Sequence, residues 1–370
     1  MSLSRTASDR IAELTLALCG IASVTGDEDA CADFVEAWLR ATTALRVERH
    51  GKCVLARNPP TGKPLLLLVG HTDTVPGKNG DAAPHQDGDR LVGLGSSDMK
   101  GGLAVMMRLA EDLFPAGGAV ADGLAEGLDY DLGLVFYDHE EGPWVKSGLG
   151  PVLAEVDWIL GAALAMCLEP SDNIVQLGCM GTLHARVGFE GRSAHSARPW
   201  QGENAIHKAA GFLVRLAALA PVDVTRDGFL FREVLSATQA SGGTARNVIP
   251  DRFDLNVNYR FAPGRSLDEA VADVHALVAG EATVEIVEAA PSGKVVGESP
   301  HLARFLARTG ASVTAKQAWT DVARLGQVGI DAVNWGPGHA AQAHQAGEYA
   351  SLALHVEALL HLHAFLRAGS

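Results

Sequence analysis

The chain has 370 residues, 47% of them hydrophobic, enough for a sizeable core and more than one domain of roughly 100 to 200 residues. Acidic residues outnumber basic ones by 44 to 30, a formal net charge of -14, which weighs against nucleic acid or an anionic membrane as a partner. A small-molecule substrate is the expectation.

The N-terminus MSLSRTASDR has neither an apolar core nor a cleavage site, and the longest apolar run, LLLLV at 65–69, is too short to span a bilayer. Five cysteines, an odd number without CxxC spacing, fit a reducing compartment, so the cytoplasm is the expected location. Residues 8–20 and 28–40 carry apolar positions at helical spacing. PLLLLVG and DLGLVFY are short continuous apolar runs, as strands buried on both faces of a mainly parallel sheet require. The first runs into GHTDTVP and the second into DHEEGP, so both end in polar residues where open α/β sheets place their sites. Between them, SSDM precedes the helical pattern GGLAVMMRLAEDLF, and the glycines are expected to let the backbone turn tightly. Residues 115–129 read as a surface loop.

Near residue 176 the pattern changes to strands, then a helix near 203–219, further strands, and a helix near 266–279. Helix and strand alternation resumes after APSGKVVGESP. The expected architecture is α/β: a mainly parallel-sheet catalytic domain built from 1–175 and 292–370, interrupted by an inserted α+β domain at 176–291.

Five distant segments each offer a side chain of a type that borderline-hard divalent ions accept: His71, Asp98, Glu141, Glu169 and His344. Together they read as a two-metal hydrolase site. In HTDT the i, i+2 alternation lets Asp73 point toward His71 and accept its second N–H. The two oxygens of Asp98 can bridge two ions. In Glu140–Glu141 neighbouring side chains diverge, so one can bind metal while the other takes a proton from the attacking water. Of two C-terminal histidines, His344 is preferred because Glu348 follows at a distance that could orient it; His339 is the alternative. Lys100 is expected to be an exposed charge or a structural partner. In the inserted unit His195 could donate to a tetrahedral oxyanion, Asn247 is a second donor, and Arg260 could clamp a carboxylate bidentately.

The order HTD, SSDMKGG, DHEEGP, EP, GRSAHSARPWQGENAIH, GGTARNVIPD and HQAGE, from about residue 65 to 350, resembles the two-metal aminoacylase and metallo-carboxypeptidase family. Within it the chain is most similar to the actinobacterial succinyl-diaminopimelate desuccinylases, through GLGSSDMKGG, RSAHSARPW, ARNVIPD, WTDVARL and NWGPG. The resemblance implies that His71, Asp98 and Glu169 hold one ion and Asp98, Glu141 and His344 the other, with Glu140 as general base. It implies zinc, with cobalt or manganese also accepted by such ligands. It implies a cis bond between Asp98 and Met99, a homodimer through the inserted lid, and His195 reaching the partner's active site. The implied reaction is hydrolysis of N-succinyl-LL-2,6-diaminopimelate to succinate and LL-2,6-diaminopimelate, with Thr320 and Asn334 as candidate polar substrate contacts. Related members of the family hydrolyse acetylornithine, acylated amino acids or C-terminal glutamate bonds, so acetylornithine deacetylase and a dipeptidase or carboxypeptidase are the alternatives that the resemblance leaves open.

Overall fold

Leu65–His71 pairs in parallel with Asp131–Tyr137 on one side and with Ala162–Cys167 on the other. Ala332–Asn334 extends this parallel core beyond Ala162–Cys167. Antiparallel strands flank it: Arg46–His50 and Cys53–Arg57 on one edge, Val175–Leu177 on the other, completing with Val313–Ala315 an eight-stranded sheet. The computed structural model describes residues 5–117 and 127–367; the loop expected at 115–129 therefore lies largely outside the described residues. All seven residues of Asp131–Tyr137 are buried, and six of Leu65–His71, which is why both read as unbroken apolar runs instead of alternating ones. The expected helices appear as Arg5–Cys19 and Asp29–Thr42, and Arg5–Cys19 and Leu352–Leu366 pack against Gly101–Leu113.

Two compact units divide the chain. One contains the residues up to Leu177, Val296–Thr314 and the residues from Arg324; the other contains Gly178–Val295 and Ala315–Ala323. The second unit is thus an insertion, with boundaries slightly later than those expected at 175/176 and 291/292. The larger difference is the segment 315–323, expected in the catalytic domain. Hydrogen bonds tie it to the inserted unit: Met180 N donates to Ala318 O at 3.0 Å, and Gln317 Nε2 to Leu230 O at 2.7 Å.

The inserted unit is a five-stranded antiparallel sheet in the order Val222–Arg226, Phe229–Gly242, Arg252–Phe261, Gly181–Glu190, Thr283–Ala290. Alternation along Arg252–Phe261 sends Phe253, Leu255, Val257, Tyr259 and Phe261 into apolar clusters with Phe212, Leu216, Val274 and Val278 from the covering helices. Asp254, Asn256, Asn258 and Arg260 take the other face. The helix expected near 203–219 runs as two short segments, Ala205–Lys208 and Ala210–Ala217, the first capped by Asn204. Leu267–Val278 starts in a capping box, Ser266 and Glu269 satisfying each other's backbone N–H.

The glycines after Asp98 have a different cause from the one expected. Gly101 has ordinary helical dihedrals (φ -63°, ψ -41°), and the left-handed residue of this turn is Gly95, at φ 80°. Gly101 is needed because a Cβ there would collide with Nε2 of the fully buried His355, and a Cβ at 102 would lie 2.6 Å from the Leu168 carbonyl oxygen. Burial pushes the His355 pKa down to about 4, while its Nδ1–H donates to Ser351 O at 2.6 Å. The unfolded chain therefore takes up a proton near pH 6.5 that the folded histidine refuses until about pH 4, so this group lowers stability as the pH falls through that window. Between pH 7 and pH 5, His355→Gln is expected to lose roughly 2 kcal/mol less stability than wild type, at about 1.36 kcal/mol per pH unit. Urea denaturation at the two pH values measures this; parallel losses would show that His355 does not carry the effect.

Candidate metal centre

The sheet order decides which strand ends meet. Leu65–His71 lies between Asp131–Tyr137 and Ala162–Cys167, so His71 stands between the ends that lead to Glu140–Glu141 and to Glu169. Asp98 arrives from the turn ahead of Gly101–Leu113, and His344 from the loop ahead of Tyr349–Ser351. His71 Nε2 lies 3.2 Å from Asp98 Oδ1. His344 Nε2 lies 2.7 Å from Glu141 Oε1 and 3.6 Å from Asp98 Oδ2. Ligand atoms of His71, Asp98 and Glu169 fall within 4.8 Å of one another, and so do those of Asp98, Glu141 and His344. Asp98 belongs to both groups, offering one oxygen to each histidine. His71, Glu140 and Glu141 satisfy the same limit, which puts Glu140 at the centre as well. The Asp98–Met99 peptide bond is cis.

The proton inventory shows that these residues suit a cation. His71 Nδ1 faces the Asp73 carbonyl oxygen at 3.0 Å, and a carbonyl can only accept, so Nδ1 carries the hydrogen. In the neutral ring Nε2 then presents a lone pair to a carboxylate oxygen, an arrangement that calls for a proton or a cation between them. Burial opposes protonation of His71, yet the Asp73 and Asp98 carboxylates outweigh it and hold its pKa well above the ordinary value. Glu141, foremost, likewise raises the pKa of His344. A site that draws protons onto both imidazoles in this way would draw divalent ions to the same nitrogens, and the N/O donor set accepts zinc, cobalt or manganese.

Asp73 does more than expected, and does it differently. The close partner of His71 Nδ1 is the Asp73 backbone carbonyl; the carboxylate is 3.5 Å away. Asp73 Oδ1 instead accepts the Glu140 N–H and Oδ2 the Glu141 N–H, both at 3.0 Å, while the Thr25 hydroxyl donates to Oδ2 at 2.9 Å. Burial works against the charge on Asp73, but His71 and these N–H groups overcome it and lower its pKa. One carboxylate thus fixes the backbone of the Glu–Glu pair.

The Glu348 carboxylate makes its hydrogen bonds elsewhere than to the His344 ring. It accepts backbone N–H groups of Gly95, Ser97 and Asp98. His339, the alternative ligand, sits against Asp172 with its Nδ1 2.5 Å from Oδ1, and belongs to neither ligand group. Lys100 is buried, not exposed; its Nζ donates to Ile21 O at 2.7 Å. A further cluster, Glu28, Asp138 and His139, has metal-like spacing, but Lys52 already meets Glu28 at 2.8 Å.

In the inserted unit His195 and Asn247 come together. Ala194–His195 pairs with Val248–Ile249, Ser196 N donates to Asn247 O at 2.9 Å, and both side chains are exposed. Ala197 N–H donates to His195 Nδ1 at 3.0 Å, which leaves the hydrogen of the neutral ring on Nε2. Arg260 lies on the sheet face away from the helices, its Nε donating to Asn258 Oδ1 at 3.2 Å. Thr320 and Asn334 are both buried, Thr320 in the inserted unit and Asn334 at the end of a central strand of the catalytic unit.

Comparison with known proteins adds the family. Residues 177–284 match the peptidase dimerisation domain model. Over 336 residues the chain is 43% identical to a Mycobacterium tuberculosis protein provisionally named succinyl-diaminopimelate desuccinylase DapE, covering 90% of this chain and 91% of that one. The chain belongs to the succinyl-diaminopimelate desuccinylase family. A desuccinylase from Corynebacterium glutamicum is 36% identical over 342 residues, 90% of each chain. Among solved structures, an M20-family metallo-carboxypeptidase from Sulfolobus solfataricus superposes with a TM-score of 0.77 at 14% identity, over 96% of this chain and 98% of that one. A dinuclear metal-binding M20 peptidase from Bacillus subtilis gives 0.68 at 15% identity, over 98% of each chain. At such identities these structures establish the fold that the desuccinylase-family chain shares: a catalytic α/β domain with an inserted α+β unit. No helix among its described residues is long and apolar enough to cross a membrane.

Proposed function

We propose that this chain is a metal-dependent amide hydrolase that converts N-succinyl-LL-2,6-diaminopimelate and water into succinate and LL-2,6-diaminopimelate. The observation that carries the reading is the pair of three-ligand groups sharing Asp98, with Glu140 beside them, in a desuccinylase-family chain. His71, Asp98 and Glu169 would hold one ion and Asp98, Glu141 and His344 the other, with zinc as the metal. Two such ions supply Lewis acidity, which makes water a better nucleophile near neutral pH and polarises the scissile carbonyl.

The protein's own groups then have separate tasks. Glu140 takes a proton from the attacking water and delivers it to the leaving amine as the C–N bond breaks, so one carboxylate serves as base and then as acid. Asp73 keeps that carboxylate in place through the backbone N–H groups of Glu140 and Glu141. His195, with hydrogen on Nε2, donates to the oxyanion of the tetrahedral intermediate, and Asn247 offers a second donor nearby. Arg260 receives a substrate carboxylate, and burial, which lowers its pKa, shields that ion pair from water. Thr320 and Asn334 complete the polar contacts. We place the protein in the cytoplasm as a homodimer through the inserted unit, with His195 serving the partner's site; the dimerisation-domain match and five free cysteines support this.

Subunit exchange tests the last point. His195→Ala and Glu140→Gln, each inactive alone, should regain activity when mixed, in up to one site of each heterodimer. Verified exchange without recovery, both parents staying folded, would mean that His195 serves its own chain or takes no part. The substrate is tested by comparing kcat/KM for N-succinyl-LL-2,6-diaminopimelate, acetylornithine and a dipeptide panel. The succinylated substrate should lead by at least about tenfold, the discrimination that about 1.4 kcal/mol from a second paired carboxylate provides. Preference for acetylornithine or a dipeptide would replace the substrate while keeping the chemistry.

A further inference from the structure

Glu348 is a buried carboxylate that belongs to neither three-ligand group and forms no ion pair with a lysine or arginine among the described residues. Its Oε1 accepts Ser97 N–H at 2.7 Å and Asp98 N–H at 2.9 Å, and its Oε2 accepts Gly95 N–H at 2.9 Å. These donors converge because Gly95 is left-handed, which turns successive N–H groups inward into the kind of concavity that binds anions. Here the anion is part of the chain itself, supplied from about 250 residues away.

The same residue anchors a second strand of the site. Gly93 N donates to Glu348 O at 3.0 Å, the Ser97 hydroxyl donates to Tyr349 O at 2.8 Å, and Tyr349–Ser351 pairs antiparallel with Arg90–Val92. His344 lies four residues upstream of Glu348, itself left-handed at φ 61°, and Gly347 follows at φ 69°. One carboxylate therefore joins the turn that presents Asp98 to the loop that presents His344.

We propose that Glu348 is a positioning residue that fixes Asp98 and His344 relative to one another, and thereby sets the affinity of the ion held by Asp98, Glu141 and His344. The proposal rests on the two-ion reading above. The ion held by His71, Asp98 and Glu169 depends on it less, because His71 and Glu169 stand on strand ends of the central sheet that do not pass through Glu348. In Glu348→Gln one oxygen becomes an amide NH2 that faces an N–H donor, so at least one of the three bonds is lost and the turn is pushed from the loop. Loss of groups that orient metal ligands costs about 10- to 100-fold in metal affinity.

Competition titration with Zn²⁺ against a chelator tests this on wild type, E348Q and S97A, with Co²⁺ absorption spectra as a second readout. Wild type should bind two ions. E348Q should hold one ion within about threefold of wild type and bind the other about 10- to 100-fold more weakly, with an altered Co²⁺ spectrum for that ion and an unchanged circular dichroism spectrum. S97A removes the hydroxyl that donates to Tyr349 O and accepts from His339 N–H but keeps the three bonds to Glu348, and should bind both ions nearly as wild type does. The proposal is overturned if E348Q binds both ions normally, weakens both alike, or is matched by S97A. Should E348Q fail to fold, E348D keeps the charge on a shorter arm and must show the same selective weakening. Fewer than two ions on wild type would instead overturn the two-ion reading itself.

Discussion

Glu140→Gln is expected to retain both ions and to lose about 10²- to 10⁴-fold in kcat, the usual cost of removing a general base. The amide keeps the shape and the backbone N–H that Asp73 holds at 3.0 Å, so the centre should assemble normally. What it lacks is a basic oxygen for the proton of the attacking water. Substrate binding should change little, because the lost interaction matters only as the proton moves, and kcat should fall far more than KM rises. Glu141→Gln should behave in the opposite way, losing the ion it would share with His344, whose Nε2 is 2.7 Å from the Glu141 carboxylate. If Glu140→Gln lost metal and Glu141→Gln kept full activity, the roles of the pair would be reversed.

Asp98→Ala should be more damaging, because Asp98 is the one residue common to both three-ligand groups. Removing it takes a ligand from each ion and leaves His71 and His344 without the carboxylate that faces them at 3.2 and 3.6 Å. Metal-assisted stabilisation is worth several kcal/mol and each 1.36 kcal/mol is about tenfold, so activity should fall by about 10³-fold or more. Metal analysis after dialysis should find fewer than two ions per chain. Unchanged stoichiometry and turnover would remove Asp98 from its bridging place.

Much of this candidate centre was legible in the sequence because the residues brought together are also chemically conspicuous. His71, Glu141 and Glu169 end or follow apolar runs of the kind that buried strands show, and a buried parallel strand delivers whatever follows it to one edge of the sheet. The same logic placed the insertion, since His344 had to return to a sheet begun before residue 177. What could not be read were interactions made with the backbone. Asp73 pairs with the N–H groups of Glu140 and Glu141, and Glu348 with those of Gly95, Ser97 and Asp98; neither choice leaves any pattern in the partner's side chains. Lys100 read as either an exposed charge or a structural partner, the second of which its bond to a carbonyl fits, and Gly101 looked like a turn residue because the pressure on it comes from His355, far along the chain. Thr320 falls in the other unit for a related reason: the hydrogen bonds that hold 315–323 to the insertion mostly end on main-chain carbonyls, those of Ala318, Leu230 and Pro291 among them, and a carbonyl leaves no mark in the sequence.

The two-ion centre is tested most directly by growing crystals of the wild-type protein with Zn²⁺ and collecting anomalous diffraction at the zinc edge. The account predicts two peaks about 3.5 Å apart, within the range usual for co-catalytic ions, one among His71, Asp98 and Glu169, the other among Asp98, Glu141 and His344. A single peak at saturating Zn²⁺, or two peaks that do not share Asp98, would contradict it.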